Sequence, residues 1–344
     1  MGSSGKCIPV TIAQPPHAEA ARAADPTDLS VVVPCYNEAD GIAALVERLA
    51  AVCRPLDVAF EIVLVDDGSR DATWPTIICL RAEHPEIVAV KLSRNHGHQL
   101  ALTAGLSVCR GRRILIIDAD LQDPPELLAE MMRLMDAGAD VVYGRRRARA
   151  GEGPLKKLTA AVFYRLIQRL SDVPIPPDTG DFRLMSRRAL DVLLAMPERH
   201  RFIRGMVSWI GFRQEPILYD RAARFAGRTK YNYRKMIRFA LDAITGFSVR
   251  PLQLASLAGF GFGLIAAAVL AYAFVSWAFF RTVSGWTSLI AVVALLGSVQ
   301  LFVLGIIGEY LGRLYVQSQG RPLFIIERIE EGAADPVRPE EPAP

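Results

Sequence analysis

Short runs of consecutive apolar residues alternate with stretches whose apolar positions return every three or four residues. The first run, Leu29-Ser30-Val31-Val32-Val33, ends in Pro34-Cys35-Tyr36-Asn37-Glu38 and passes into a helical pattern from about Asp40 to Cys53. Phe60–Val65 repeats the plan and leads through Asp66-Asp67-Gly68-Ser69 into a helix from about Asp71 to Glu83. Ile87–Leu92 predicts a third strand, followed by a helix from about His98 to Arg110. Ile114–Ile117 predicts a fourth strand, with a helix to about Ala137 and a fifth strand at Asp140–Tyr143. Runs of this kind suit buried strands, and strands alternating with helices of this length imply βαβ units, right-handed crossovers and a mainly parallel sheet. A further helix is expected from about Leu155 to Leu170, where Leu158, Val162, Leu166 and Ile167 share a core face.

The pattern changes near the C-terminus. Pro251–Phe280 is uncharged between Arg250 and Arg281, longer than the roughly 20 residues a bilayer needs. Trp286–Gly308 is a second uncharged run, closed by Glu309 and Arg313, with Gly297, Gly305 and Gly308 suited to close helix packing. Two transmembrane helices are expected, with a buried soluble hairpin as the alternative. Basic residues gather before the first span and again at Arg313 and Arg321, whereas the Arg281–Gly285 connection has one. That bias puts both termini and the preceding domain in the cytosol of a multi-pass inner-membrane protein. Between domain and spans, Arg234, Lys235 and Arg238 share a stretch with Met236, Ile237, Phe239 and Leu241, the composition of an amphipathic interfacial helix. The expected divisions are a mobile tail at 1–28, a cytosolic domain at 29–231, the interfacial helix at 232–247, two spans at 248–313 and a solvated tail at 314–344. The last residues, Glu327 to Pro344, are rich in Glu and Pro.

Composition narrows the classes. The chain has 344 residues, 51% of them hydrophobic, enough for a full α/β core with apolar sequence left over. A net charge of +4 is too small to imply nucleic acid without a dense basic patch, and a membrane surface accounts for it. The five cysteines form no CxxC pair and read as reduced thiols. The first 28 residues contain no signal-peptide core.

Candidate chemistry centres on ILIIDADLQDPP, residues 114–125. Asp118 and Asp120 stand at the expected carboxyl end of a strand, where open α/β sheets place their ligands. An alternating strand-end backbone would aim both to one side, and a hard divalent cation would relieve their repulsion while holding phosphates. Gln122 offers an amide oxygen, and Asp123 is expected to cap the next helix ahead of Pro124-Pro125. The alternative for Asp118 and Asp120 is a pair of turn formers. Glu38, Asp66 and Asp67 put further acidic groups at other strand ends. No GxGxxG or GxxxxGK[ST] is present, against a dinucleotide oxidoreductase or a P-loop enzyme. Carboxylates suit the hydroxyls and ring N–H groups of a nucleoside.

VVVPCYNEAD, VLVDDGSRDAT, LSRNHGHQLALTAGL and IIDADLQDPP, in that order, resemble the family-two glycosyltransferases, most closely the branch that loads polyprenyl phosphate with a sugar, the dolichyl-phosphate mannose synthases and bactoprenol glucosyltransferases. The resemblance spans about Leu29 to Leu323. It implies a GT-A fold, a nucleotide-sugar donor and Mg²⁺ or Mn²⁺. Pro34, Tyr36, Glu38, Asp66 and Asp67 would line the nucleoside pocket, and Asp118, Asp120 and Gln122 would hold the metal. It points to Arg145 as the clamp on the acceptor phosphate, whereas Arg146 and Arg147 read as surface. Gly180 permits an unusual backbone before Asp181, and the family has a matching Asp beside the acceptor. Orientation of the attacking oxygen, or holding the sugar, is the favoured role for Asp181, with general base as the alternative, because a phosphate monoester is already ionised at pH 7.

Residues 221–231, RAARFAGRTKY, resemble the family's flexible loop R-x-x-G-x-S-K-Y with Thr229 in place of Ser. Arg224 and Lys230 would grip the donor diphosphate as it leaves, a juxtamembrane basic stripe being the other reading. The expected reaction is inverting transfer of one sugar to polyprenyl phosphate. UDP-glucose is the favoured donor, with other nucleotide sugars open, and a homo-oligomer is compatible with the small residues of the second span. A processive polysaccharide synthase is disfavoured because no QxxRW motif and no multi-helix channel is present. A silent nucleotide-sugar-binding scaffold is disfavoured by the complete DADLQ and RTKY sets.

Overall fold

The computed structural model describes residues 27–147, 179–220, 250–279 and 285–331. Eight strands form one sheet. β1 (Leu29–Cys35), β2 (Phe60–Asp66), β3 (Ile87–Leu92) and β4 (Arg113–Ile116) make its parallel centre. β5 (Val141–Arg146), β6 (Thr179–Ser186), β7 (Gln214–Tyr219) and β8 (Ile326–Glu330) complete the order β7-β5-β6-β4-β1-β2-β3-β8. β6 runs antiparallel to both β4 and β5, β5 pairs parallel with β7, and β8 runs antiparallel to β3.

The helices between the strands are α1 (Ile42–Cys53), α2 (Thr73–Glu83), α3 (His98–Val108), α4 (Leu128–Asp136), α5 (Arg187–Ala195) and α6 (Ile203–Ile210). They divide into two layers. One core joins Val31, Val33, Ile62 and Leu64 to Ile42, Leu45 and Leu49 of α1. The other joins Val32, Val63 and Val65 to Ala101, Leu102 and Leu106 of α3 and to Leu190 and Met206. Alternate residues of β1 and β2 serve opposite faces, so the continuous valine and isoleucine runs reflect strands covered on both sides. α3 lies close to the sheet because it carries Gly105, whose missing Cβ would stand 2.5 Å from Val32 Cγ1 and 2.8 Å from Val65 Cγ2.

Two long helices, α7 (Arg250–Phe279) and α8 (Trp286–Ser318), pack against each other. They leave Leu257, Phe260, Leu301, Phe302 and Leu311 exposed. Arg250–Val269 and Leu295–Ser318 are long and apolar enough to cross a membrane. α8 runs on to Ser318, five residues past the expected boundary at 313.

Several local expectations are corrected. The residues after Glu327 were read as a solvated tail, but Ile326–Glu330 forms an edge strand, with Val90 opposite Ile329 and Leu92 opposite Ile326. Asp123 does not cap a helix. A short 3-10 turn, Pro125–Leu127, precedes α4, is preceded by Pro124 and receives no side-chain cap. The expected helix at 155–170, the interfacial helix at 232–247, nearly all of the N-terminal tail and residues 332–344 lie outside the described residues.

Candidate active site

The carboxyl ends of β1, β2 and β4 meet at one edge of the sheet, and the loops leaving them are stitched together by side chains. Glu38 N–H donates to Thr73 Oγ1 at 2.9 Å, Asn37 N–H to Ser69 Oγ at 3.0 Å, and Arg70 N–H to Asn37 Oδ1 at 2.9 Å. Asn37 holds φ 55° and Leu121, between Asp120 and Gln122, holds φ 59°. Left-handed backbone at two non-glycine residues is costly and gathers at functional sites.

The two acidic residues ending β2 have different surroundings. Asp67 accepts the backbone N–H groups of His96 at 2.7 Å and Gly97 at 2.9 Å, so its carboxylate shapes the loop that launches α3. Burial raises its pKa, opposed by those two bonds. Asp66 accepts only from Ser69 N–H through Oδ1, at 3.1 Å, and its Oδ2 is buried without a hydrogen-bond partner. Of the expected nucleoside residues, Pro34 is buried in β1, Tyr36 is 40% exposed beside it, and Glu38 is half-buried.

β4 ends at Ile116, so Asp118 and Asp120 lie in a turn, not on an alternating strand as expected. The two have different neighbours. Asp118 joins His98 and Asp181 in a group whose ligand atoms all lie within 4.8 Å of one another. Asp120 stands outside that group, and its Oδ1 accepts Gln122 N–H at 3.2 Å. His98 Nε2 bonds Asp181 Oδ2 at 3.1 Å and lies 3.6 Å from Asp118 Oδ1. Burial works to lower the His98 pKa, but the bond to Asp181 and the charges of Asp118, Asp181 and Asp67 prevail and push it up to about 9. Burial pushes Asp118 up, chiefly because its carboxylate is cut off from water. Asp118 Oδ1 is buried without a hydrogen-bond partner. A hard cation takes carboxylate oxygens of this kind, so the residues present fit a divalent metal.

Asp181, on β6, is held on every side. Oδ2 accepts from His98 and from Gln99 Nε2 at 3.0 Å, while Gln99 Oε1 accepts Ile203 N–H at 3.0 Å and so ties α6 to the same carboxylate. Arg204 and Arg183 stand 3.6 Å and 3.8 Å from Oδ1. Although burial opposes ionisation, the bond to His98 and the charges of Arg204, His98 and Arg183 hold Asp181 well below the usual carboxylate range. Gly180 keeps an ordinary extended backbone within β6, contrary to expectation. It matters for space, since a Cβ there would sit 3.1 Å from Arg146 Nη2.

Of the basic residues of β5, Arg146 departs from its expected surface position. Arg145 is exposed, whereas Arg146 is half-buried with Nε donating to Tyr219 Oη at 3.3 Å. An irregularity between Tyr143 and Arg145 resets which residue faces inward. Arg224 and Lys230 lie outside the described residues. His98, Gln99, Arg146, Arg183, Arg204 and Tyr219 were not picked out from the sequence. His98-Gln99 carried a signal, two polar side chains opening the helix after the third strand, but Arg204 sits 23 residues beyond Asp181 with nothing to link them.

The profile of glycosyl transferase family 2 matches residues 30–194. An uncharacterized glycosyltransferase of Synechocystis sp. is 44% identical over 308 residues, covering 88% of this chain and 95% of its own. A prophage bactoprenol glucosyl transferase homolog of Escherichia coli is 38% identical over 309 residues, covering 88% and 99%. Among solved structures, mannosyl-3-phosphoglycerate synthase from Rubrobacter xylanophilus aligns with a TM-score of 0.45 at 20% identity, over 63% of this chain and 72% of that one. Near full-length identity to these two relatives and the matching profile establish that the chain belongs to glycosyl transferase family 2.

Proposed function

We propose that the protein transfers one sugar, glucose from UDP-glucose, to polyprenyl phosphate with inversion, at the cytosolic face of the membrane that α7 and α8 cross. The observation that carries this reading is Asp118 Oδ1, buried without a hydrogen bond beside His98 and Asp181, at the sheet edge where open α/β sheets bind ligands. The glucosyl donor and lipid acceptor follow the name of the Escherichia coli relative, whose match runs through the apolar C-terminal half. The exposed apolar faces of α7 and α8 supply what a bilayer-dissolved acceptor needs, a site held at the membrane surface.

Asp118, with Asp120 and Gln122 from the same turn, would hold Mg²⁺ or Mn²⁺, which when bound supplies charge stabilisation to the departing diphosphate. Asp66, with Oδ2 lacking a partner, is the nucleoside acceptor of the pair, since Asp67 is occupied by the α3 loop. Asp181 orients the incoming phosphate or the sugar. Its four neighbouring donors favour the ionised, weakly basic form, and the phosphate brings its own negative oxygen. Arg224 and Lys230 would close over the diphosphate.

The test is transfer from radiolabelled UDP-glucose into undecaprenyl phosphate in vesicles holding the full chain, with Asp118→Asn and with chelator. A lipid-linked monosaccharide, lost on chelation, restored by Mn²⁺ and reduced at least about 100-fold in the variant, is expected. A polymeric product would mean a processive synthase. Donor binding without any product would mean a silent scaffold.

A further inference from the structure

Around Asp181, the two arginines are used differently. Arg183 is 2% exposed and committed to backbone, with Nε donating to Asp181 O and Nη2 to Gly180 O, both at 3.1 Å. It fixes the start of β6. Arg204, the second residue of α6, touches Asp181 only through a 3.6 Å ion pair, longer than a hydrogen bond. Its Nε is buried without a partner, and its side chain is 24% exposed. A guanidinium has five N–H donors, and leaving a buried one unpaired costs free energy that a ligand oxygen would recover.

Position adds to this. The segment between α5 and α6 is fastened to the end of α8: Arg199 N–H donates to Gln317 Oε1 at 3.1 Å, and Gln317 Nε2 donates to Pro197 O at 2.7 Å. The Arg199 guanidinium also reaches the carbonyl of Arg321. Only six residues therefore separate the attachment to the apolar helix at Pro197 from the arginine beside Asp181. A lipid lying along α8 with its phosphate towards the Ser318 end would present that phosphate near this span of chain.

We infer that Arg204 binds the phosphate of the lipid acceptor and holds its attacking oxygen beside Asp181. The inference rests on the proposed reaction and adds a residue to it. In the step served, an ionised phosphate oxygen forms a bond to the anomeric carbon while that carbon's bond to the donor diphosphate oxygen breaks. The nucleoside diphosphate leaves with the electron pair, and no proton is transferred. A guanidinium suits this task, because it pairs with phosphate in two places and never becomes a base.

The test uses the full chain in vesicles, with Arg204→Gln and Arg204→Lys, varying undecaprenyl phosphate and UDP-glucose separately. Loss of one charge-assisted contact is expected to raise the acceptor KM about tenfold or more in R204Q, with R204K intermediate and the donor KM within about twofold of wild type. Inorganic phosphate added as competitor should inhibit wild type more than R204Q if the site reads the phosphate group, and equal inhibition overturns the inference. A raised donor KM with an unchanged acceptor KM also overturns it, placing Arg204 on the donor diphosphate. So does a fall in kcat alone, which would leave Arg204 acting only through Asp181. If R204Q does not fold, an unchanged acceptor KM in the folded R204K overturns the inference by itself. Wild-type protein that makes no lipid-linked sugar defeats the reaction proposed above, a result distinct from all of these.

Discussion

Tyr219 donates its phenolic hydrogen to Asp123 Oδ1 at 2.5 Å. The bond joins the last residue of β7 to the turn that carries Asp118, Asp120 and Gln122, and Arg146 donates to the same phenol. Burial first, and then the Asp123 charge and hydrogen bond, push the Tyr219 pKa up to about 12, so the phenol stays a donor across the physiological range. Tyr219 also packs edge-on against Phe182 at 5.7 Å. It is followed in sequence by the segment containing Arg224 and Lys230, so one side chain ties the turn proposed to hold the metal to the strand that leads into that segment.

Tyr219→Phe is therefore expected to keep the ring packing and remove the donor from a carboxylate that is 1% exposed. A buried acceptor deprived of a donor costs about 1–3 kcal/mol. The variant should melt several degrees lower, at roughly 2–4 °C per kcal/mol for a domain of this size. Mn²⁺ affinity should fall with it, because the turn is less firmly held. Thermal melts with and without Mn²⁺ check this, and an unchanged melting temperature would show that the bond adds nothing.

Gly105→Ala tests how closely α3 lies on the sheet. The added methyl would meet two valine side chains at 2.5 and 2.8 Å, and β-branched residues within strands have little freedom to turn away. Overpacking of this kind costs about 1–3 kcal/mol. Adding Val32→Ala should return part of the loss by clearing the nearer contact. A single variant as stable as wild type in chemical denaturation would contradict the packing described.

Much of this framework is legible in the sequence, and the reasons are physical. β1 to β4 are buried on both faces, so each appears as an uninterrupted apolar run, and each ends in polar residues at the ligand edge. Asp66 and Asp118 stand out as carboxylates after apolar runs, whereas Asp181 is marked only by the family resemblance. What could not be read depends on contacts distant in sequence or on local irregularity. Arg146 is half-buried although its neighbours suggest a surface residue, because the β5–β6 register shifts between Tyr143 and Arg145, and no residue there announces a bulge. Asp123 looks like a helix cap from its neighbours, yet its partner Tyr219 is 96 residues away. Asp67 looks equivalent to Asp66 until the backbone of His96 and Gly97 is seen to occupy it.

Asp140 gives a pH-dependent prediction away from the site. Its carboxylate is held below the ordinary range first by the hydrogen bond from Arg188, against burial, and then by Ser186 Oγ at 3.0 Å. Arg188 also lies over the Phe212 ring at 5.0 Å. A carboxyl whose folded pKa is below its unfolded value, about 3.9, adds stability that is complete above that value and lost as pH falls through the folded pKa. Asp140→Asn should accordingly melt below wild type at neutral pH, with the gap narrowing once the pH drops under about 4. A gap that stays constant from neutral to acid pH would mean the ionised form contributes nothing.

The last strand offers the sharpest test of the tertiary arrangement. β8 covers the outer edge of β3, and its charges are paired: Lys91 with Glu327 at 3.0 Å, Arg110 with Glu331 at 3.1 Å and Arg81 with Glu330 at 3.6 Å. The pairs of Lys91 and Arg110 are partly exposed and contribute about 0–1 kcal/mol each, whereas Arg81 is buried, so β8 contributes both the partner of Arg81 and the backbone pairing it gives to an otherwise open edge. Ending the chain after Ile325 would keep α8 and the bond from Ser93 N–H to Ile325 O at 3.0 Å, and would expose the β3 edge. The truncated protein is expected to melt several degrees lower and to self-associate on size-exclusion chromatography, because an unpaired flat edge recruits other chains. Replacing Ile326 and Ile329 by Thr in the full chain should weaken packing while keeping the strand, and should give the lower melting temperature without the association. If truncation leaves both properties as in wild type, β8 does not close the sheet.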